Sequence, residues 1–120
     1  METNDMTQSL QEKLKVVRQN LEYKEANRFH KALASGTRML IIGMLSAAGP
    51  LTVGQIVQMT GVSQPTTNRH LSILRNAGLI EVAKKGGKNT FYEFSEFGFA
   101  TNINYTRGAI NVLKTDPSHE

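Results

Sequence analysis

With 120 residues, of which 39% are hydrophobic and 20% charged, the chain reads as one globular domain with a single modest core; disorder and a second core are both excluded. Fourteen Lys and Arg against ten Asp and Glu leave a net charge of +4, which permits a polyanionic partner without requiring one. The absence of cysteine excludes disulfides, thiolate metal sites and thiol switches, and no apolar run approaches membrane-spanning length, so a cytoplasmic chain with no membrane partner is expected.

Residues 1–6 read as a disordered tail, 7–113 as the folded domain and 114–120 as a second tail. A first helix is expected from Thr7 to Asn27, where Leu10, Leu14, Val17 and Leu21 recur at a/d spacing among charged and amide residues. One helix cannot bury such a stripe alone. It packs either on its own domain or on a second copy of the chain. Phe29, Ala32 and Leu33 continue the apolar pattern until Ser35-Gly36-Thr37 breaks it and supplies a cap for a second helix. That helix carries Met39, Leu40, Ile42 and Leu45 around most of its circumference, which predicts a buried centre, and it ends at Gly49-Pro50.

Thr52-Val53-Gly54-Gln55 has the Thr-x-x-Gln form of a capping box and opens a third helix, with Val53, Ile56 and Val57 inward and a stop at Gly61. Gly61-Val62-Ser63 then makes a short corner, with Val62 as its apolar plug. Ser63 can cap the next helix, and Pro65 in its first turn loses little by lacking an N–H. Thr67, Leu71 and Leu74 share one side of this fourth helix, the side suited to a core. The opposite side carries Asn68, Arg69 and Ser72, with Gln64 and Thr66 at the exposed N-terminal end. Asn and Gln pair bidentately with adenine and Arg with guanine, so this polar side has the chemistry of a DNA-reading surface. Ser63, Gln64, Thr66, Thr67, Asn68 and Arg69 are therefore the candidate DNA-binding residues; Thr67 is included as part of the same polar run although it centres the inward side. The helix ends near Asn76-Ala77-Gly78.

Two short strands follow. Ile80 and Val82 alternate with Glu81 and Ala83, and Tyr92 and Phe94 alternate with Phe91, Glu93 and Ser95. Between them Lys84-Lys85-Gly86-Gly87-Lys88-Asn89 is expected to form a Gly-rich hairpin tip. Lys84, Lys85 and Lys88 can reach phosphates, contacts that position a protein on DNA without reading sequence. A last helix is expected over Glu96 to Leu113, with Phe99, Ile103, Ile110 and Leu113 on one stripe. The element order is ααααββα: a mainly α fold with a small β-hairpin, the winged helix-turn-helix arrangement, in which the helix after the turn enters the major groove.

At this point the sequence resembles the ArsR/SmtB family of bacterial transcriptional repressors. The matching residues are Phe29-His30-Lys31-Ala32-Leu33-Ala34, Thr37-Arg38 leading into Met39 to Leu45, Leu51-Thr52-Val53, Gly61-Val62-Ser63-Gln64-Pro65-Thr66, Arg69-His70-Leu71, Leu74-Arg75, Ala77-Gly78-Leu79-Ile80 and the strand containing Tyr92. They occur in fixed order over residues 29 to 95. The resemblance implies a homodimer formed through the first and last helices, on an operator with two half-sites. That favours a dimer interface of Leu10, Leu14, Val17, Leu21, Phe99, Ile103, Ile110 and Leu113.

The chain departs from that family's metal sensors. Thr52 and Gly54 stand where the Cys-Val-Cys pattern would place thiolates, and neither is a soft ligand. Residues 99 to 113 contain no Asp, His or Glu, while Asp116, His119 and Glu120 lie in the polar tail. No metal and no cofactor are expected, and His30 and His70 read as packing or capping residues. Ser35-Gly36 replaces the family's usual Asp-Pro, which changes the helix entry but keeps a cap.

No triad with a recognisable elbow, phosphate-cradling loop or paired apolar carboxylates is present, so no enzyme is expected. Phe91, Tyr92, Phe94, Phe97 and Phe99 read as packing of the hairpin on the last helix rather than as an effector pocket, and Met39, Met44 and Met59 as core filler. The expected function is a homodimeric, sequence-specific DNA-binding repressor on a palindromic operator, with double-stranded DNA as partner and the effector unknown. The alternatives are a winged-helix protein–protein interaction module that never binds DNA, or a repressor released by a small organic effector.

Overall fold

The computed structural model describes the backbone of residues 2–114 and the side chains of residues 6–111. The elements in chain order are α1 (Glu2–Gln19), α2 (Leu21–Leu33), α3 (Gly36–Ala48), β1 (Leu51–Thr52), α4 (Val53–Thr60), α5 (Gln64–Asn76), β2 (Ile80–Gly86), β3 (Asn89–Phe94) and α6 (Glu96–Lys114). The helix expected from Thr7 to Asn27 is two helices, because Asn20 leaves the helical region (φ −72°, ψ 132°). Its carboxamide oxygen accepts from the N–H groups of Glu22 at 2.7 Å and Tyr23 at 3.3 Å, starting α2. α1 also begins at Glu2, inside the segment expected to be a tail. The tail expected at 114–120 lies, from residue 115, outside the described residues, as does the side chain of Leu113.

The caps legible in the sequence are present. Ser35 accepts from Arg38 N–H to open α3, and Gly49 closes that helix with φ +82°. Thr52 and Gln55 form the reciprocal capping box of α4, at 3.2 and 2.9 Å. The sheet departs from a two-stranded hairpin. Its order is β1-β3-β2, all antiparallel, with Leu51 opposite Tyr92 and Thr52 opposite Phe91. The extended backbone of the cap residue Thr52 (φ −84°, ψ 162°) allows this pairing before the chain turns into α4.

Phe29 and Ala32 of α2, Ile41 and Leu45 of α3, Ile56 of α4 and Leu71 and Leu74 of α5 make one core with Leu51, Ala77, Leu79 and Ile80. α3 is not buried all round: Met39 and Leu40 are exposed, since α2 and β3 cover only the Ile41–Leu45 side. Met59 is exposed too, so of the three methionines read as filler only Met44 packs on the core. α6 is fixed to the end of α5 by a close backbone approach. A Cβ on Gly98 would collide with the Gly78 carbonyl, and the buried Asn102 donates to the carbonyls of Gly98 (2.9 Å) and Ala77 (3.4 Å).

Candidate nucleic-acid interface

The corner between α4 and α5 is built from local bonds. Gly61 adopts a left-handed conformation (φ +73°) and donates to the Val57 carbonyl, which ends α4 in a geometry that disfavours residues with a Cβ. Thr60 bridges the corner, its hydroxyl donating to the Ile56 carbonyl and accepting from the Val62 N–H. Ser63 then accepts from the Thr66 N–H, with Pro65 in the first turn of α5.

Fixed in this way, α5 turns Thr67, Leu71 and Leu74 into the core and leaves Ser63, Gln64, Thr66, Asn68 and Arg69 exposed. Thr67 is the correction within the DNA-binding set. It is fully buried, with its hydroxyl 3.5 Å from the Val62 carbonyl, because it sits on the same helical side as Leu71 and Leu74. The side chains of Gln64, Asn68 and Arg69 make no hydrogen bond or ion pair with any described residue, so their donors and acceptors face solvent uncommitted. The unpaired N–H groups at the start of α5 add a partial positive charge at the same end.

His70 stands at the edge of this surface. Its Nδ1 lies 3.3 Å from Nη1 of Arg38, and the same guanidinium donates to the carbonyls of Ala32 (2.6 Å) and Lys31 (3.3 Å) at the end of α2. Burial, then the charges of Arg38 and Arg69, push the His70 pKa below its ordinary 6.5, favouring the neutral ring that accepts from Arg38. His30 meets the Thr106 hydroxyl at 2.9 Å, joining α2 to α6. Both histidines are therefore interhelical links.

The wing is tighter than a six-residue tip. Gly86 pairs with Asn89, so only Gly87 (φ +59°) and Lys88 form the turn, while Lys84 and Lys85 lie on β2 opposite Phe91 and Thr90. An irregularity between Val82 and Lys84 shifts the register and sets Lys84 Nζ 4.7 Å from the centre of the Phe91 ring. All three lysines are exposed, and no described carboxylate lies within salt-bridge range of them. A pocket of about 170 Å³ separates α5 from β3, lined by Asn68, Leu71, Ser72, Arg75 and Tyr92. The spacing 68, 72, 75 marks one helical stripe; Arg75 and Tyr92 had no place in the sequence-derived site because only the fold sets β3 beside α5.

The residues expected at a subunit interface divide. Leu10, Leu14, Leu21, Phe99 and Ile110 leave large apolar areas exposed, Leu21 at 70%. Val17 is buried within its own chain and Ile103 packs on the core, so neither is free to face a partner: Val17 lies where α1 meets α2 and α6, and α6 crosses α2. Met6 and Val16 extend the exposed stripe on α1. The aromatic residues do not converge on one site. Phe99 packs edge-on against Phe29 at 5.5 Å and tilted on Phe94 at 6.0 Å, whereas Phe97 is 83% exposed. Thr52 and Gly54 do not fit a thiolate-type metal: the Thr52 hydroxyl is committed to the α4 cap, and no three metal-ligating side chains converge among the described residues.

Four helices, an outward polar helix after a three-residue corner, a lysine-bearing hairpin and a closing helix define a winged helix-turn-helix domain, the class used by DNA-binding regulators. Comparison with known proteins agrees. The model of the family described as bacterial regulatory protein, arsR family, matches residues 35–82. The transcriptional repressor SdpR of Bacillus subtilis is 31% identical over 90 residues, spanning 75% of this chain and 98% of that protein. An HTH-type transcriptional regulator of Mycobacterium tuberculosis is 36% identical over 78 residues, 65% of this chain and 71% of that protein. Among solved structures, a homodimeric winged helix-turn-helix DNA-binding domain from Mycobacterium bovis, a possible ArsR-family regulator, superposes with a TM-score of 0.58. It is 29% identical, over 72% of this chain and 79% of that one. The chain belongs to the arsR family of bacterial regulatory proteins.

Proposed function

We propose that the chain is a transcriptional repressor that binds a near-palindromic operator as a homodimer and occludes the promoter. The observation that carries this reading is the outward side of α5, where Gln64, Asn68 and Arg69 are exposed and uncommitted beside a wing whose lysines have no acidic partner. Gln64, Thr66, Asn68 and Arg69 contact the groove, Ser63 offers a hydroxyl to a flanking phosphate, and Lys84, Lys85 and Lys88 contact the backbone. Thr67 contributes only to the core. Homodimerisation is supported by the apolar stripe that α1 leaves uncovered in a molecule stretched to 64 × 24 × 21 Å. Leu10, Leu14, Leu21, Phe99 and Ile110 form the seam. A two-fold axis between two copies sets the α5 helices about 34–36 Å apart, one turn of DNA.

The test is a gel-shift titration of wild type and Asn68→Ala on a selected operator and on random duplex, with molar mass measured by light scattering. A dimer is expected whose operator preference shrinks in the variant by about tenfold, the worth of one base contact. A monomer, or a protein that binds neither duplex, refutes the reading.

A further inference from the structure

We propose that the cleft between α5 and β3 seats one backbone phosphate of the bound DNA, held by Arg75, Ser72 and Tyr92. This rests on the DNA-binding reading and adds to it a contact on the wing side of α5. The pocket of about 170 Å³ has room for roughly five waters at about 30 Å³ each, enough for a phosphodiester group to replace them. Arg75, Ser72 and Asn68 make no hydrogen bond or ion pair with any described residue, and no hydrogen bond engages the Tyr92 hydroxyl. Four polar side chains thus border one concave site with their bonding capacity unused, and no carboxylate is among its lining residues. The Tyr92 ring packs against the core, opposite Leu51 and Val82 in the sheet, which fixes the ring while leaving its hydroxyl without a partner.

Position separates a phosphate from a base edge as the occupant. Arg75 lies eleven residues beyond Gln64, about 16 Å along the helix axis at 1.5 Å per residue. The major groove is about 12 Å wide, so when the first turns of α5 fill it, Arg75 lies over the flanking strand. A guanidinium with two neutral hydroxyls suits a singly charged diester. A purely structural reading of Arg75 is charge complementarity with the C-terminal end of α5, which needs no ligand.

The experiment compares wild type, Arg75→Gln and Tyr92→Phe on operator and random duplex across a salt series, with thermal melting of each protein. Arg75→Gln is expected to weaken both duplexes alike and to reduce the salt slope by about 0.9 for each bound subunit. Tyr92→Phe is expected to weaken both by about tenfold with slope and melting temperature unchanged. A duplex with one neutral methylphosphonate linkage at the contacted position should abolish the difference between wild type and Arg75→Gln. If both variants bind as wild type while Asn68→Ala loses operator preference, the phosphate site is refuted and the DNA reading stands. If wild type binds no duplex, both fail.

Discussion

The role of the wing is most cleanly tested at Lys88. It is the second residue of the two-residue turn, exposed, with no described carboxylate in range, so its removal disturbs neither a strand pair nor an ion pair. Lys84 is a poorer site, because its ammonium lies over the Phe91 ring and its loss also perturbs the hairpin. One phosphate neutralised per subunit contributes about 0.9 to the slope of log affinity against log salt, hence about 1.8 for a dimer. Between about 50 and 200 mM salt, wild-type binding should therefore fall about twelvefold more than that of Lys88→Ala. Electrophoretic or fluorescence-anisotropy titrations at four salt concentrations, on operator and on random duplex, read this directly. Identical slopes, or a loss confined to one sequence, would show that Lys88 is a solvated turn residue or a base reader, and the backbone role of the wing would be wrong.

Three further outcomes follow from the packing. Gly98→Ala should lower stability to urea by about 2 kcal/mol, since collision with the Gly78 backbone (about 3 kcal/mol) exceeds the helix-propensity gain of Ala (about 1 kcal/mol); an unchanged midpoint would mean that α6 yields at no cost. Thr67→Val should leave base preference untouched because the side chain is fully buried, and a changed preference in operator selection would return Thr67 to the groove. His70 has a lowered folded pKa, so the unfolded chain binds the proton more readily. Its contribution to stability is complete above 6.5 and is lost as pH falls through the lowered value. Urea midpoints at pH 7.5 and 5.5 should therefore differ more in wild type than in His70→Gln; equal differences would remove the Arg38–His70 contact from the account.

What the sequence made legible was local. Ser35, Thr52-Gln55, Gly61 and Ser63 act through bonds to backbone within a few residues, so residue type and spacing suffice to place the helix-turn-helix corner. The break at Asn20 was hidden because the a/d repeat continues from Val17 to Leu21 across it, and hydrophobic spacing does not register a side-chain cap. β1 was hidden because two residues gain strand identity only by pairing with β3 some forty positions later. Val17 and Leu40 invert the simple expectation, one buried in its own chain and one exposed, since an apolar helix face does not state which neighbour covers it. The pocket beside Arg75 and Tyr92 depends on α5 and β3 meeting, which no local pattern encodes.

The central claim is that two copies of α5 are offered together to one duplex. Selection from random oligonucleotides with the purified protein, followed by footprinting of the enriched pool, tests it most directly. The expected result is two inverted half-sites with centres about ten base pairs apart, both protected at once. Enrichment of nothing above background, or of a single half-site occupied by one subunit, would contradict it.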